Sequence, residues 1–225
     1  MITTFLALLI SLLPMQAAQN LPPAFPREGA KQLIDNERVT VWDVTLAKGK
    51  ATQMHQHRLD MVRVELVDST AKATDARGKQ TDVTRRKGVP AFTPKGTTDI
   101  QEGASDVPGH TIMIELKDVT VPPLANRSGY PEAFPREGAK KVLENGRVTV
   151  WDIAFTLGKP TPMHFHSKDV VVVYLENGEN QSTTPDGKVT PGTSTFGQVK
   201  FNPRDRTHSE LLFKGAQRVI AVELK

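Results

Sequence analysis

His164 and His166 are separated by one residue, and His208 follows after a further stretch that ends in Pro203 and a turn-like Arg204-Asp205-Arg206. In a β-strand, residues i and i+2 project to the same face. The first two imidazoles can therefore hold one ion together, and a third ligand must arrive on another strand. Three neutral imidazoles leave coordination positions open to water or substrate, which is the pattern of a catalytic rather than a structural metal site. Glu210, two residues beyond His208, shares its face on a continuous strand. It is the candidate catalytic acid/base or a further metal ligand, and its alternative role is a rim residue paired with an arginine. Asp169 lies three residues after His166, so strand parity points it outward, to a structural role.

A weaker version of the same set occurs upstream. Met54-His55-Gln56-His57 maps onto Met163 to His166 at an offset of 109, Asp99 stands where His208 stands, and Gln101 replaces Glu210. Two histidines and an aspartate can form a facial triad suited to non-haem iron. The favoured reading is a duplicated unit that lost its chemistry and now supports its sister.

These sets are carried by an internal duplication. Ala24-Phe25-Pro26-Arg27-Glu28-Gly29-Ala30-Lys31 recurs unchanged at residues 133–140, and residues 24–66 match 133–175 at 25 of 43 positions. A period of this size is a domain and not a solenoid repeat. The expected organisation is an N-terminal unit over residues 19–117, a linker over 118–132 with Pro122-Pro123 and Ser128-Gly129, and a C-terminal unit over 133–225.

The elements that must position the ligands read as strands. Val170 to Leu175 is a short β-branched run, and Asn145-Gly146, Asn177-Gly178, Asp186-Gly187 and Arg77-Gly78 are turn signals. Lys31 to Asn36 and Lys140 to Asn145 are each expected to form a helical turn. Trp42 and Trp151 are expected to pack inside, with buried partners for their indole N–H groups. Phe25 and Phe134 are expected to staple the chain as it enters each unit. An anion-binding role for Arg27 or Arg136 is not favoured, and His110 is placed in an exposed Pro-Gly-His turn. Short strands with Gly and Pro turns indicate an all-β sandwich or barrel.

The spacing resembles the two motifs of the cupin superfamily, G-x5-H-x-H-x(3,4)-E-x6-G and G-x5-P-x-G-x2-H-x3-N. The C-terminal copy supplies Gly158, His164, His166 and Gly178, then Gly197, Pro203 and His208. The N-terminal copy supplies Gly49, His55 and His57, then Gly88, Pro94 and Gly96. The resemblance implies an all-β bicupin, two tandem jelly-roll barrels with a site inside each. The family's glutamate ligand would fall at Val171 and Val62, neither of which can bind metal. What remains in the second copy is a three-histidine set similar to that of cupin dioxygenases. The implied cofactor is a divalent transition metal, Fe, Mn, Zn or Ni, and the implied enzyme classes are dioxygenase, isomerase and decarboxylase. The alternative is a non-enzymatic barrel pair that binds a small ligand or sugar.

Composition narrows the partners. Net charge is +4 and aromatics are 6% of the chain, and the basic residues do not gather into a face with stacking aromatics, which excludes nucleic acid. The expected partner is a small-molecule substrate or ligand, with a homodimer left open. Residues 1–18 read as a signal peptide: Phe5 to Leu13 is apolar, Ala17-Ala18 offers a cleavage point, and no charged residue precedes Arg27. The expected location is secreted or periplasmic, without stable membrane insertion after cleavage. No cysteine is present, so disulfides, thiolate ligands and a cysteine nucleophile are excluded.

Overall fold

The computed structural model describes residues 20–225, and the leader expected over residues 1–18 lies outside them. The first half forms β1 (Ala30–Asp35), β2 (Val39–Leu46), β3 (His55–Gln56), β4 (Asp60–Glu65), β5 (Ser69–Asp75), β6 (Gln80–Arg85), β7 (Pro90–Thr93), β8 (Thr98–Gly103) and β9 (Gly109–Leu116). The second half forms β10 (Ala139–Glu144), β11 (Val148–Ala154), β12 (His164–His166), β13 (Val170–Tyr174), β14 (Gly178–Thr183), β15 (Val189–Ser194), β16 (Val199–Asn202), β17 (Arg206–Gly215) and β18 (Arg218–Leu224). The described residues contain no helix.

Each half folds into a five-stranded and a four-stranded antiparallel sheet. The first half orders them β1-β2-β9-β4-β7 and β3-β8-β5-β6, and the second β10-β11-β18-β13-β16 and β12-β17-β14-β15. The helical turns expected at Lys31–Asn36 and Lys140–Asn145 are instead strands. β1 and β10 pair antiparallel with the strand that follows, each with a register shift, at Gln32/Ile34 and Lys141/Leu143. Six residues cannot offset the cost of nucleating a helix, whereas pairing satisfies their backbone and seats Ile34 and Leu143 against the largest apolar core.

That core lies between the two barrels. Val39, Val41, Val62, Val64, Ile112 and Ile114 of the first half pack in one cluster with Val148, Val150, Val171, Val173, Ile220 and Val222 of the second, all fully buried. Each such side chain contributes roughly 1.5–3 kcal/mol on burial. The contact is reciprocal under the repeat. Arg38 meets Asp169, and the equivalent Arg147 meets Asp60. Gly88 approaches Leu175 so closely that an added Cβ would lie 2.8 Å from its Cδ1, and the equivalent Gly197 comes within 3.4 Å of Leu66 by the same measure. The two five-stranded sheets are thus related by an approximate twofold axis. Val62 and Val171, where the family glutamate was expected, face this seam and not the barrel interiors.

The opposite faces of the same strands line the barrels. Val170, Tyr174, Trp151 and Val219 cluster inside the second, and Met61, Trp42, Val44 and Met113 inside the first. Phe25 stacks on Trp42 with ring centroids 4.9 Å apart, and Phe134 on Trp151 at 5.0 Å. The indole N–H groups donate to Glu115 and Glu223, each at 2.8 Å. The entry segments therefore do staple each barrel as expected.

Candidate metal centres

β12 pairs with β17 in a register that sets His164 directly opposite His208 and His166 opposite Arg206. The strand alternation read from the sequence then brings all three imidazoles together. Their ring centroids lie 4.8 to 5.1 Å apart, and His166 Nε2 is 3.2 Å from His208 Nε2. Nitrogens this close must share either a proton or a cation. One ligand atom from each of the three falls within 4.8 Å of the others.

The local chemistry keeps these rings neutral. His164 Nδ1 lies 2.8 Å from the carbonyl oxygen of Pro162. A carbonyl only accepts, so Nδ1 carries the proton and Nε2 presents its lone pair to the site. Burial, reinforced by Arg136, pushes His164 down to about 4. Burial, with Arg206 and His208 nearby, holds His166 well below the usual imidazole range, and burial lowers His208 despite the attraction of Glu210. Three unprotonated imidazoles, two buried and that of His208 half-buried, with converging nitrogens are a donor set that fits a divalent transition metal.

Around them is a cavity of about 40 Å³ whose walls include Phe134, Arg136, Tyr174, Arg206, His208 and Glu210. Glu210 shares the inward face of β17 with His208, as parity requires. Its Oε2 accepts from Arg136 Nη2 at 3.2 Å, and its side chain is 28% exposed. Burial works against its charge, yet His208 and Arg136 hold it below its usual range, so it is an ionised carboxylate at neutral pH. Tyr174 is pushed up to about 12 by burial and by Glu210, and stays a phenol.

Arg136 was not favoured from the sequence, and the structure places it in the site. Its guanidinium packs over Phe134 and Phe155, donates to His164 Nε2 at 2.8 Å and reaches Glu210. The signal was available: the octapeptide around it recurs without a single change, more than a staple through Phe134 requires. Arg206, two residues before His208, also had the parity to face inward.

In the first barrel β3 pairs with β8 so that His55 faces Asp99. His55 Nε2 is 3.1 Å and His57 Nε2 3.8 Å from Asp99 Oδ1. His55 Nδ1 sits 2.9 Å from the Gln53 carbonyl, the counterpart of His164 and Pro162, so its Nε2 is likewise bare. His55 Nε2 and Asp99 Oδ1 are both buried without a hydrogen-bond partner, a mismatch that a cation between them would resolve. These three residues also lie within ligand distance of one another, so the arrangement fits a metal here too.

One residue outside the sites differs from expectation, and another agrees with it. His110 is not in an exposed turn: it lies in β9, half-buried, with Nε2 2.7 Å from Asp43 Oδ1. Asp169 points away from the cavity, as expected, and receives Arg38 and the Arg204 backbone N–H.

No protein-family profile and no curated protein matches the chain. Solved structures do. A cupin 2 conserved barrel domain protein from Leptotrichia buccalis superposes with a TM-score of 0.56 at 13% identity, over 87% of this chain and 88% of its own. A single-substitution variant of Bacillus subtilis oxalate decarboxylase gives 0.62 at 11% identity, over 86% and 72%. A further structure of that decarboxylase, described through its Mn(II) centres, gives 0.59 at 11%, over 84% and 69%. Identities this low speak for the fold, and they agree with the strand order and the ligand spacing: the chain has the bicupin fold, two jelly-roll barrels of cupin type in tandem.

Proposed function

We propose that the C-terminal barrel is the active site of an exported metal-dependent enzyme acting on a small molecule. His164, His166 and His208 would hold the ion, and Glu210 would serve as acid/base. The observation that carries this reading is the pair of ring nitrogens 3.2 Å apart on His166 and His208, with His164 on the third side and an ionised carboxylate in the same cavity. A divalent ion there would polarise a substrate oxygen or activate dioxygen. Glu210 would take a proton from the substrate at Oε2 while Arg136, bonded to that oxygen, keeps it oriented. Phe134, Phe155 and Tyr174 would keep bulk water from the reacting atoms. A cavity of about 40 Å³ admits only a few water-sized groups, which supports a small substrate. A dioxygenase-like reaction is the first choice, with isomerase and decarboxylase as the other members of the class.

The contact between Arg136 and His164 Nε2 supports a second reading, a non-enzymatic barrel that binds a small ligand through Arg136. Elemental analysis after incubation with Fe(II), Mn(II) and Zn(II) separates the two. Wild type should load the C-terminal site, His208→Ala should empty it, and Glu210→Gln should keep the metal while any turnover falls about 100-fold or more. A wild-type protein that stays metal-free overturns the enzyme reading in favour of the binding module.

A further inference from the structure

The barrels share ligand geometry and differ in what surrounds it. Strand pairing equates Glu65, Arg85, Asp99 and Gln101 of the first barrel with Tyr174, Ser194, His208 and Glu210 of the second. Glu210 reaches Arg136, whereas its counterpart Gln101 is turned toward a candidate ligand. Arg85 Nη2 donates to Gln101 Oε1 at 2.9 Å, and both residues are buried. A guanidinium has no acceptor, so this contact fixes which end of the amide faces it. The amide nitrogen of Gln101 therefore points the other way, and it donates to Asp99 Oδ2. Arg85 is held from behind by Glu65. Arg85 Nε and Arg63 Nε lie 4.0 and 3.2 Å from Glu65 Oε1, and Oε2 accepts from Thr111 Oγ1 at 2.6 Å.

One oxygen of Asp99 is thus occupied and the other is not. Oδ1 faces His55 Nε2 at 3.1 Å and His57 Nε2 at 3.8 Å, the only ion-pairing contacts of this carboxylate among the described residues. The shorter contact is not a hydrogen bond, since neither of its atoms has a hydrogen-bond partner. Donor atoms that approach within 4.8 Å of one another and stay unbonded are arranged as a ligand set. A cavity of about 610 Å³ reaches His55 and offers an entry path. A barrel that only supported its sister would have no use for the buried ions behind Asp99. Ser194 and Tyr174 take the same positions in the second barrel without charge, and buried ion pairs stabilise a fold no better than apolar packing does. What the network from Glu65 through Arg85 and Gln101 does achieve is to fix the Asp99 carboxylate.

We propose that the N-terminal barrel holds a second metal centre of different selectivity, with His55, His57 and Asp99 Oδ1 as ligands and with Gln101 and Arg85 as positioning residues that keep Asp99 a one-oxygen ligand. The carboxylate makes this donor set harder than three imidazoles, so it favours Mn(II) over Zn(II) relative to the C-terminal set. The inference concerns the other barrel and does not rest on the enzyme reading of His164, His166 and His208.

Manganese binding to the full chain tests this, in a His164→Ala/His208→Ala background that dismantles the C-terminal set. After stripping with chelator and incubation with Mn(II), elemental analysis should find about one ion per chain, and electron paramagnetic resonance should show it bound. Asp99→Ala should abolish binding. Asp99→His should keep a metal and shift the preference from Mn(II) toward Zn(II) by about tenfold or more. Arg85→Met and Gln101→Leu should each weaken Mn(II) binding about 10–100-fold and alter the resonance spectrum. Arg85→Lys, which keeps a donor for Gln101 Oε1, should restore much of both. Should Arg85→Met fail to fold, Gln101→Leu, which leaves the ion pairs of Glu65 in place, carries the test. Absence of bound Mn(II) in this background, or binding that survives Asp99→Ala, overturns the site. Unchanged affinity and spectrum in Gln101→Leu overturn the positioning role, and an unchanged preference in Asp99→His overturns the selectivity.

Discussion

Arg38 of the first barrel donates to Asp169 of the second at 2.5 Å, with side chains only 10% and 9% exposed. The equivalent pair, Arg147 and Asp60, is looser at 3.6 Å, and its side chains are 33% and 19% exposed. Removing one partner of a buried ion pair strands the other charge, so Arg38→Ala should destabilise the protein by about 3 kcal/mol. Arg147→Ala, screened by solvent, should cost about 1 kcal/mol or less. Urea unfolding followed by the fluorescence of Trp42 and Trp151 measures both. Equal losses would show that the two halves of the seam are energetically alike.

The histidine cluster predicts a pH dependence in the metal-free protein. Above about pH 6.5 the imidazoles are neutral in both folded and unfolded chains. As pH falls, the unfolded chain binds protons that the folded protein refuses, because burial has lowered His164, to about 4, as well as His166 and His208. Stability should therefore fall between about pH 6.5 and 4, by at most about 1.4 kcal/mol per pH unit per histidine. His166→Gln should flatten the profile. Glu115 and Glu223, raised by burial, act in the opposite sense in the carboxylate range. The difference between wild type and variant, measured by melting temperature against pH, is accordingly the informative quantity. Parallel profiles would contradict the lowered histidines.

The charge-free apolar leader supports export. The mature protein should begin near Gln19 and be recovered from a periplasmic or extracellular fraction. N-terminal sequencing that finds Met1 intact on cytosolic protein would rule this out.

Most of the ligand placement was legible in the sequence because it depends on short-range rules. Strand parity puts His164 with His166 and His208 with Glu210, and the repeat supplies the topology twice. Arg136 was harder to place because it sits on an irregular entry segment, where no periodicity tells which way a side chain points. The seam between the barrels was illegible for another reason. Val39, Val41, Val62 and Val64 alternate along their strands with residues of the other face, and an alternating pattern does not say which of two apolar faces covers a partner and which lines a cavity. The helical turns expected at Lys31–Asn36 and Lys140–Asn145 gave way to tertiary pairing, which local propensity does not contain.

The twofold seam also bears on how the two interiors came to differ. A surface that pairs reciprocally with its own duplicate is a self-complementary one, so a single unit of this kind would expose a wide apolar face and associate with an identical copy. In such a homodimer every change of residue appears in both pockets at once. Fusion into one chain preserves the association and releases that constraint, so Ser194 and Arg85, or Glu210 and Gln101, can be inherited separately. The covalent link thus supplies an evolutionary freedom, in which one pocket can be altered while the other, and the seam that stabilises both, is kept.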